Sequence, residues 1–172
     1  VYYKTLWIAY KSIKMVNQSI NFNFFRSAKN TFKKEIDSIS KIPLELDSKN
    51  YNKFCQEILS NNGNLFLMGI GKSGNIAEKI CSTLSSTGTP AIYINAAEAS
   101  HGDLGMLTKK DLLIVFSFSG ETEEILKILP SCKKKVKDIL SVTGNEKSTL
   151  SKNSKISITL HIDEEACPMD LA

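Results

Sequence analysis

The stretch Leu65 to Gly74, LFLMGIGKSG, decides the fold that we expect, together with Leu112 to Thr122, LLIVFSFSGET. Each stretch begins as a short apolar run and stops abruptly at glycines and hydroxyl residues. This pattern is typical of a buried parallel strand whose carboxyl end opens into a ligand-holding turn. Two such turns in one chain predict a single shared site.

The first turn is rich in glycine and leads into a helical pattern. Gly69, Gly71 and Gly74 surround Lys72 and Ser73. Glycines allow the backbone to approach an anion closely, and the free N–H groups of a helix N-terminus can bind one. The positive charge of Lys72 adds to this attraction. We therefore expect an anion at this turn.

The second turn is rich in hydroxyl groups. Ser117, Ser119 and Thr122 surround Gly120, and another helical pattern follows. A phosphate monoester suits hydroxyls and backbone amides better than a bare carboxylate does, because it offers three oxygens to them. The two turns together therefore predict a small phosphorylated ligand.

The glycine motif also partly matches two other kinds of site. A P-loop fails on spacing, because its first glycine would fall at Phe66. The dinucleotide fingerprint G-x-G-x-x-G matches Gly69 to Gly74, but Asn95 stands where an acidic residue is expected near the end of the second strand. A dinucleotide site and a purely structural tight turn stay open as alternatives.

Composition excludes several classes of protein. The 172 residues suit one domain, and no apolar run reaches the ~20 residues that span a bilayer, so we expect a soluble, cytoplasmic protein that binds no membrane. The net charge of +4 comes from dispersed lysines, and the run 133–135 lacks interleaved aromatic residues, so we expect no nucleic-acid partner. Four cysteines without paired spacing predict reduced thiols.

The order of elements predicts the fold. Apolar residues recur at helical spacing from Phe25 to about Pro43 (Phe25, Ala28, Phe32, Ile36, Ile39), and a second helix at 48–60 should turn Tyr51, Phe54, Ile58 and Leu59 inward. Strands at 65–69, 91–95, 111–117, 138–143 and 156–161 then alternate with helices at 73–86, 121–135 and 147–151.

This alternation predicts an α/β fold, a three-layer αβα sandwich with a five-stranded parallel sheet. In the flavodoxin-like strand order 2-1-3-4-5, the first and third strands are neighbours. Both glycine-containing turns would then border one crevice, where open sheets of this type bind ligands.

Several motifs of the chain, in this order, resemble the sugar isomerase (SIS) domain family and, within it, the arabinose-5-phosphate isomerases. They are GIGKSGNIAEK at 69–79, STGTP at 86–90, EASHGDLGM at 98–106, SFSGETEEI at 117–125, VTGNEKS at 142–148 and EACPMDLA at 165–172. The resemblance implies an SIS domain over 25–172, with 1–24 unassigned. Relatives continue past the last motif, so the domain is expected to be truncated at its C-terminus.

The resemblance also implies an activity and its residues. Members interconvert D-ribulose 5-phosphate and D-arabinose 5-phosphate without a cofactor, for 3-deoxy-manno-octulosonate and lipopolysaccharide synthesis. The implied catalytic positions are Lys72, His101, Glu124 and Glu165. The implied substrate-binding positions are Gly71, Ser73, Gly88, Thr89, His101, Ser117, Ser119, Gly120, Glu121 and Thr122.

The roles of these residues follow from the chemistry of an enediolate intermediate, which needs a base, a second acid/base and a positive group. On this hypothesis Glu124 or Glu165 carries the carbon proton, His101 shuttles protons between oxygens and Lys72 balances negative charge. Which glutamate is the carbon base stays open.

Other implications of the resemblance concern partners. SIS domains usually form homo-oligomers, here a tetramer by resemblance. Some relatives bind an inhibitory zinc ion through a histidine at the end of the second strand; because Asn95 stands there, we expect no metal. The alternative function is a sugar-phosphate-binding SIS module that regulates and does no chemistry.

Overall fold

The structure is a computed structural model that describes residues 23–162. In this range the helices are α1 (Phe24–Glu45), α2 (Ser48–Leu59), α3 (Gly71–Ser86), α4 (Ala96–Ala99), α5 (Glu123–Lys135) and α6 (Thr149–Asn153). The strands are β1 (Leu65–Gly69), β2 (Ala91–Asn95), β3 (Leu112–Phe116), β4 (Asp138–Thr143) and β5 (Ile156–Thr159), and a 3-10 turn covers Asp103–Met106.

The strands form one parallel sheet in the order β2-β1-β3-β4-β5, which confirms the predicted topology. Its centre is β1, where Gly69 pairs with Asn95 of β2 and Met68 pairs with Val115 of β3. All five residues of β1 are buried, because strands cover its two edges and helices cover its two faces.

The alternation of side chains along β1 separates two apolar clusters. Phe66 and Met68 point to one face and pack with residues of α4, α5 and α6. Leu65 and Leu67 point to the other face and pack with residues of α2 and α3, among them Phe54. These two layers of helices on one sheet confirm the three-layer αβα sandwich.

The second predicted helix is present, but part of its predicted inward face is wrong. Phe54 is buried and Ile58 is half-buried, whereas Tyr51 and Leu59 are exposed. The reason is that α2 packs mainly against the edge strand β5, so the buried face of the helix is narrower than its apolar stripe.

Element boundaries differ from the sequence predictions by two residues or fewer. Helix α3 begins at Gly71 and α5 begins at Glu123, because Thr122 is the N-cap residue of α5. The first helix runs past Pro43 to Glu45, and the last strand ends at Thr159. In the part of the chain that the structure describes, none of the helices has an apolar span long enough to cross a membrane.

Candidate functional site

Both glycine-containing turns lie at the carboxyl edge of the sheet. They follow β1 and β3, which are paired neighbours. Helices α3 and α5 leave these strands toward opposite faces, since residues of α3 and α5 belong to different apolar clusters. The turns therefore border the crevice at which the strand order reverses, the place where doubly wound sheets bind ligands.

The turn after β1 presents backbone donors. Gly71 has φ 58°, and the N-cap residue Ile70 supplies no side-chain acceptor to the helix. The first α-helical hydrogen bond runs from the N–H of Gly74 to the Ile70 carbonyl, at 3.1 Å. The N–H groups of Gly71, Lys72 and Ser73 consequently have no acceptor within the helix. Together with the positive end of the helix dipole, they form an anion-binding terminus.

Glycines at this turn also permit close packing of β1 against α3. A side chain at Gly69 would lie 2.9 Å from the backbone of Ser73 and Gly74. A side chain at Gly74 would lie 2.6 Å from the hydroxyl of Tyr93, which donates to the Gly69 carbonyl at 3.3 Å. The glycine spacing thus holds the helix terminus tightly against the end of the strand.

The turn after β3 is fixed by its own hydroxyl groups. The buried Ser117 Oγ lies 2.7 Å from Thr122 Oγ1 and accepts the N–H of Gly120 at 3.1 Å. The N–H of Glu121 donates to Ser119 Oγ, also at 3.1 Å. The hydroxyls that the sequence singled out therefore form hydrogen bonds within the loop itself.

Ser148 and Thr149, which follow β4, contact this loop. The Glu121 carboxylate accepts the N–H of Thr149 at 2.7 Å, and this hydrogen bond holds the pKa of Glu121 below its ordinary value. Gly120 has φ 65°, and a side chain there would collide with the buried Ser148. Ser148 belongs to the motif VTGNEKS, but no local signal indicates its contact with Gly120, which comes from tertiary packing.

The implied catalytic residues come from three adjacent strands. Lys72 follows β1, His101 follows β2 and α4, and Glu124 lies in the first turn of α5 after β3. All three are exposed. Glu165 lies outside the described residues. The order of the strands therefore brings three of the four implied residues to the same edge of the sheet.

The two first-turn acids of α5 differ. Glu123 forms an ion pair with Lys127 at 2.8 Å, as a solvated acid on a helix commonly does. Glu124 has no ion pair within 4 Å among the described residues. The carboxylate of Glu124 is consequently available at the crevice edge.

Gly88 and Thr89, which the resemblance placed among the substrate contacts, lie elsewhere. They follow the end of α3 and precede β2, at the amino edge of the sheet. Because α3 crosses from one edge to the other, it carries this turn away from the crevice. Within one chain the structure does not bring Gly88 and Thr89 to the other implied residues.

An open cavity of about 200 Å³ adjoins both turns. Ser73 and Ser117 contribute to its wall. The other lining residues, mostly apolar and not predicted from the sequence, are Ile76, Phe116, Phe118, Val142, Thr143, Leu160 and Ile162. The crevice therefore combines anion-binding groups with an apolar wall.

Two buried cysteines, Cys81 and Cys132, do not take part in this site. Burial raises the pKa of the Cys132 thiol to about 11, and burial also raises the pKa of Cys81. Both thiols are consequently protonated at neutral pH and are poor nucleophiles.

The fold and the site define a doubly wound α/β domain with a hydroxyl-rich loop where the strand order reverses. Comparison with known proteins shows which family of such domains the chain matches. The SIS domain family matches residues 58–171. The chain belongs to the SIS domain family.

Individual relatives carry more specific names. Arabinose 5-phosphate isomerase KdsD of Francisella tularensis is 44% identical over 149 residues, which cover 85% of this chain and 45% of the relative. KdsD of Pseudomonas aeruginosa is 39% identical over 157 residues, or 91% of this chain and 48% of the relative. The chain thus spans about half the length of these curated relatives.

Among solved structures, the c3406 protein of E. coli CFT073, in complex with arabinose 5-phosphate, superposes with a TM-score of 0.83 at 34% identity. The similarity covers 89% of this chain and 81% of that one. The Vibrio vulnificus NanR protein complexed with ManNAc-6P has a TM-score of 0.71 at 18% identity and covers 81% of this chain and 53% of that one, which shows a shared fold alone.

Proposed function

We propose that the protein is an arabinose 5-phosphate isomerase that interconverts D-ribulose 5-phosphate and D-arabinose 5-phosphate. The observation that carries the proposal is the pairing of β1 with β3, which sets the α3 N-terminus beside the hydroxyl loop at Ser117–Thr122. Backbone amides, hydroxyls and Lys72 suit the phosphate of such a substrate. The names of the relatives at 39–44% identity support this substrate.

The proposed reaction moves two protons and needs no external oxidant or reductant. One proton leaves C1 of ribulose 5-phosphate and returns at C2, while a second moves from the C1 oxygen to the C2 oxygen. A carboxylate acts as the carbon base, from Glu124 or Glu165, and His101 transfers the proton between the oxygens. Lys72 stabilises the negative charge that the phosphate and the enediolate carry.

The wider assignments are part of the same proposal. We place the protein in the cytoplasm, in the supply of 3-deoxy-manno-octulosonate for lipopolysaccharide, and we expect a homo-oligomer. The absence of a cofactor and of a metal, and an SIS domain that begins near residue 25, stay predictions. The alternative function is a regulatory module that binds a sugar phosphate and does no chemistry. The following test distinguishes it from the isomerase.

The test is a coupled assay for arabinose 5-phosphate formed from ribulose 5-phosphate. Lys72→Ala should lower kcat/KM at least about 100-fold, since removal of one group that stabilises developing charge commonly costs this much. Lys79→Ala is the matched control, because it removes an exposed lysine from the same helix further from the crevice. The Lys79 ammonium points away from the crevice and donates to Thr83 Oγ1, at 2.8 Å. This control variant should leave the rate unchanged.

Two results would contradict the proposal. Turnover by Lys72→Ala at the unsubstituted rate would remove Lys72 from the mechanism. If the unsubstituted protein showed no turnover but its Tm rose on addition of sugar phosphate, the protein would be a binding module and not an isomerase.

A further inference from the structure

The short helix α6, which follows β4, begins with backbone donors that its own turns do not use. Its first internal hydrogen bond runs from the N–H of Lys152 to the Ser148 carbonyl, at 3.1 Å. The three N–H groups before it, those of Thr149, Leu150 and Ser151, therefore need acceptors of another kind. The side chain of the N-cap residue Ser148 accepts the N–H of Ser151, at 3.2 Å. The other two N–H groups depend on a neighbouring segment.

Two consecutive residues of the loop after β3 supply the missing acceptors. The Gly120 carbonyl accepts the N–H of Leu150, at 3.1 Å, and the Glu121 carboxylate accepts the N–H of Thr149, at 2.7 Å. The shorter distance is typical of a hydrogen bond to an ionised acceptor. A negative charge in the first turn of a helix is also favourable. These two hydrogen bonds, which we call the α6 clasp, join the loop after β3 to the segment after β4.

Helix α6 is a firm support for this loop, because it is anchored in the core. Leu150 is fully buried in the apolar cluster that contains residues of α5 and of the sheet. Ser148 is also fully buried, and it lies against Gly120 so closely that a side chain there would collide with it. The hydroxyls of Ser117 and Thr122 belong to the same loop as Gly120. Their position at the crevice consequently depends on the clasp.

The direction of the Glu121 side chain separates it from the crevice. Ser117 lines the open cavity, whereas Glu121 is not one of its lining residues. An anionic ligand placed against the Glu121 carboxylate would be repelled. The start of α3, by contrast, offers N–H groups that have no acceptor in their helix. A phosphate group thus has its donors at α3 and in the hydroxyl-rich loop, and the Glu121 carboxylate has its donor at α6.

We propose that Glu121 is a positioning residue, whose carboxylate fixes the hydroxyl-rich loop through the N–H of Thr149 and does not contact the sugar phosphate. The resemblance to relatives implies a substrate contact at this position, so the two roles make different predictions. The proposal rests on the sugar-phosphate site proposed above, because the loop that Glu121 fixes is part of that site.

Calorimetric titration with arabinose 5-phosphate tests the role of the carboxylate. Glu121→Ala removes the acceptor and should raise the Kd about three- to tenfold, as loss of a single hydrogen bond does. Glu121→Gln keeps an oxygen that can accept the same N–H, so it should restore most of the affinity. Glu123→Ala is the matched control, because it removes an exposed acid nearby that pairs with Lys127, at 2.8 Å, and not with α6. It should leave the Kd unchanged.

Thr149→Pro breaks the same hydrogen bond from the other side. Thr149 is the first residue of α6, a position that favours proline, and Ser148 before it has φ −62° and ψ 158°, which suit a residue that precedes proline. The variant should therefore fold and raise the Kd as much as Glu121→Ala does. The double variant should bind no more weakly than either single variant, because both remove one bond. Thr149→Ala keeps the N–H and should bind as the unsubstituted protein does.

The proposal is wrong if Thr149→Pro binds as tightly as the unsubstituted protein while Glu121→Ala loses affinity, or if the two losses add. Either result would mean that Glu121 contacts the ligand. Amide hydrogen exchange without a ligand measures the clasp separately: Glu121→Ala and Thr149→Pro should both speed exchange at Gly120 and Leu150, since the loop opens more often. Unchanged exchange would refute the clasp, whereas an unsubstituted protein that binds no arabinose 5-phosphate would refute the proposed function.

Discussion

The two edges of the sheet treat their polar groups in opposite ways. At the amino edge, the fully buried Asp111 accepts hydrogen bonds from Asn64 N and Nδ2, at 2.8 and 3.1 Å, and from Thr108 N and Oγ1, at 2.7 and 2.9 Å. Lys155 pairs with Glu57 at 2.7 Å and with Asp138 at 2.9 Å. These polar groups of the amino edge satisfy one another.

At the carboxyl edge, several polar groups are exposed or lack an acceptor within their helix. The N–H groups at the start of α3 have no acceptor in the helix, and Lys72, His101 and Glu124 are exposed. The amino edge therefore holds neighbouring strands in place, whereas the carboxyl edge leaves donors and charges exposed at the crevice. Substitutions at the amino edge should consequently change stability and leave binding unchanged, whereas those at the carboxyl edge should change binding, whether or not they also lower stability.

The largest effect is expected for Gly120→Ala. The new methyl group collides with Ser148 and must adopt φ 65°, so we expect the free energy of unfolding to fall by about 2–4 kcal/mol. If the proposed function is right, arabinose 5-phosphate raises the Tm of the unsubstituted protein, and the shifted loop of the variant should lose this rise. Thermal unfolding with and without this ligand measures both effects.

Gly105→Ala is the matched control, because a side chain at Gly105 would meet no atom within 4 Å. It should keep both the stability and the ligand-induced rise. If Gly120→Ala bound the ligand as the unsubstituted protein does, the loop after β3 would not belong to the site.

Asp111→Ala should lower the free energy of unfolding by about 2–3 kcal/mol, because it leaves buried donors of Asn64 and Thr108 unpaired. Chemical denaturation measures the loss. The kcat/KM of the folded protein should not change, since Asp111 lies at the edge opposite the crevice. A changed kcat/KM with the fold intact would break the comparison of the two edges.

The same residue predicts a dependence on pH. Burial raises the pKa of Asp111, but its four hydrogen bonds outweigh burial and hold the pKa below the ordinary value. The stabilisation is therefore complete above the ordinary pKa of about 4 and disappears as the pH falls through the lower pKa of the folded state. Asp111→Asn, which carries no charge, should show a flatter loss of stability below about pH 5, as measured by chemical denaturation across this pH range.

Ser117→Ala should have the smallest effect on stability, about 1 kcal/mol, because it removes the hydroxyl that joins Gly120 N–H to Thr122. The loosened loop should raise the KM for ribulose 5-phosphate several-fold and change kcat little. Ser141→Ala is the control: Ser141 is also buried and donates to Ser157 at 2.9 Å between β4 and β5. Equal KM changes in the two variants would indicate a general loss of rigidity.

The sequence predicted the elements well because their signals are local. Apolar runs that end at glycine located β1 and β3, and the hydroxyls of Ser117, Ser119 and Thr122 predicted a turn whose atoms do contact one another. Contacts between distant segments had no such signal. Ser148 beside Gly120 and the bond from Thr149 to Glu121 join loops that follow different strands.

Two amphipathic helices show what an apolar pattern does not predict, namely whether the apolar face is buried. The pattern predicted α1 and α5 equally, yet α5 buries Ile125, Ile128, Leu129 and Cys132, and α1 buries none of its residues. Likewise, no local pattern shows that α3 carries Gly88 and Thr89 to the other edge of the sheet within one chain; their place among the substrate contacts stays a prediction.

By itself, the sequence determined the strands, the helices and the character of the two turns, because backbone preferences and the spacing of apolar side chains act over a few residues. The tertiary structure alone decided which helical faces are covered and which polar groups meet. Those outcomes depend on what packs against each face, and the periodicity of a segment carries no information about its neighbour.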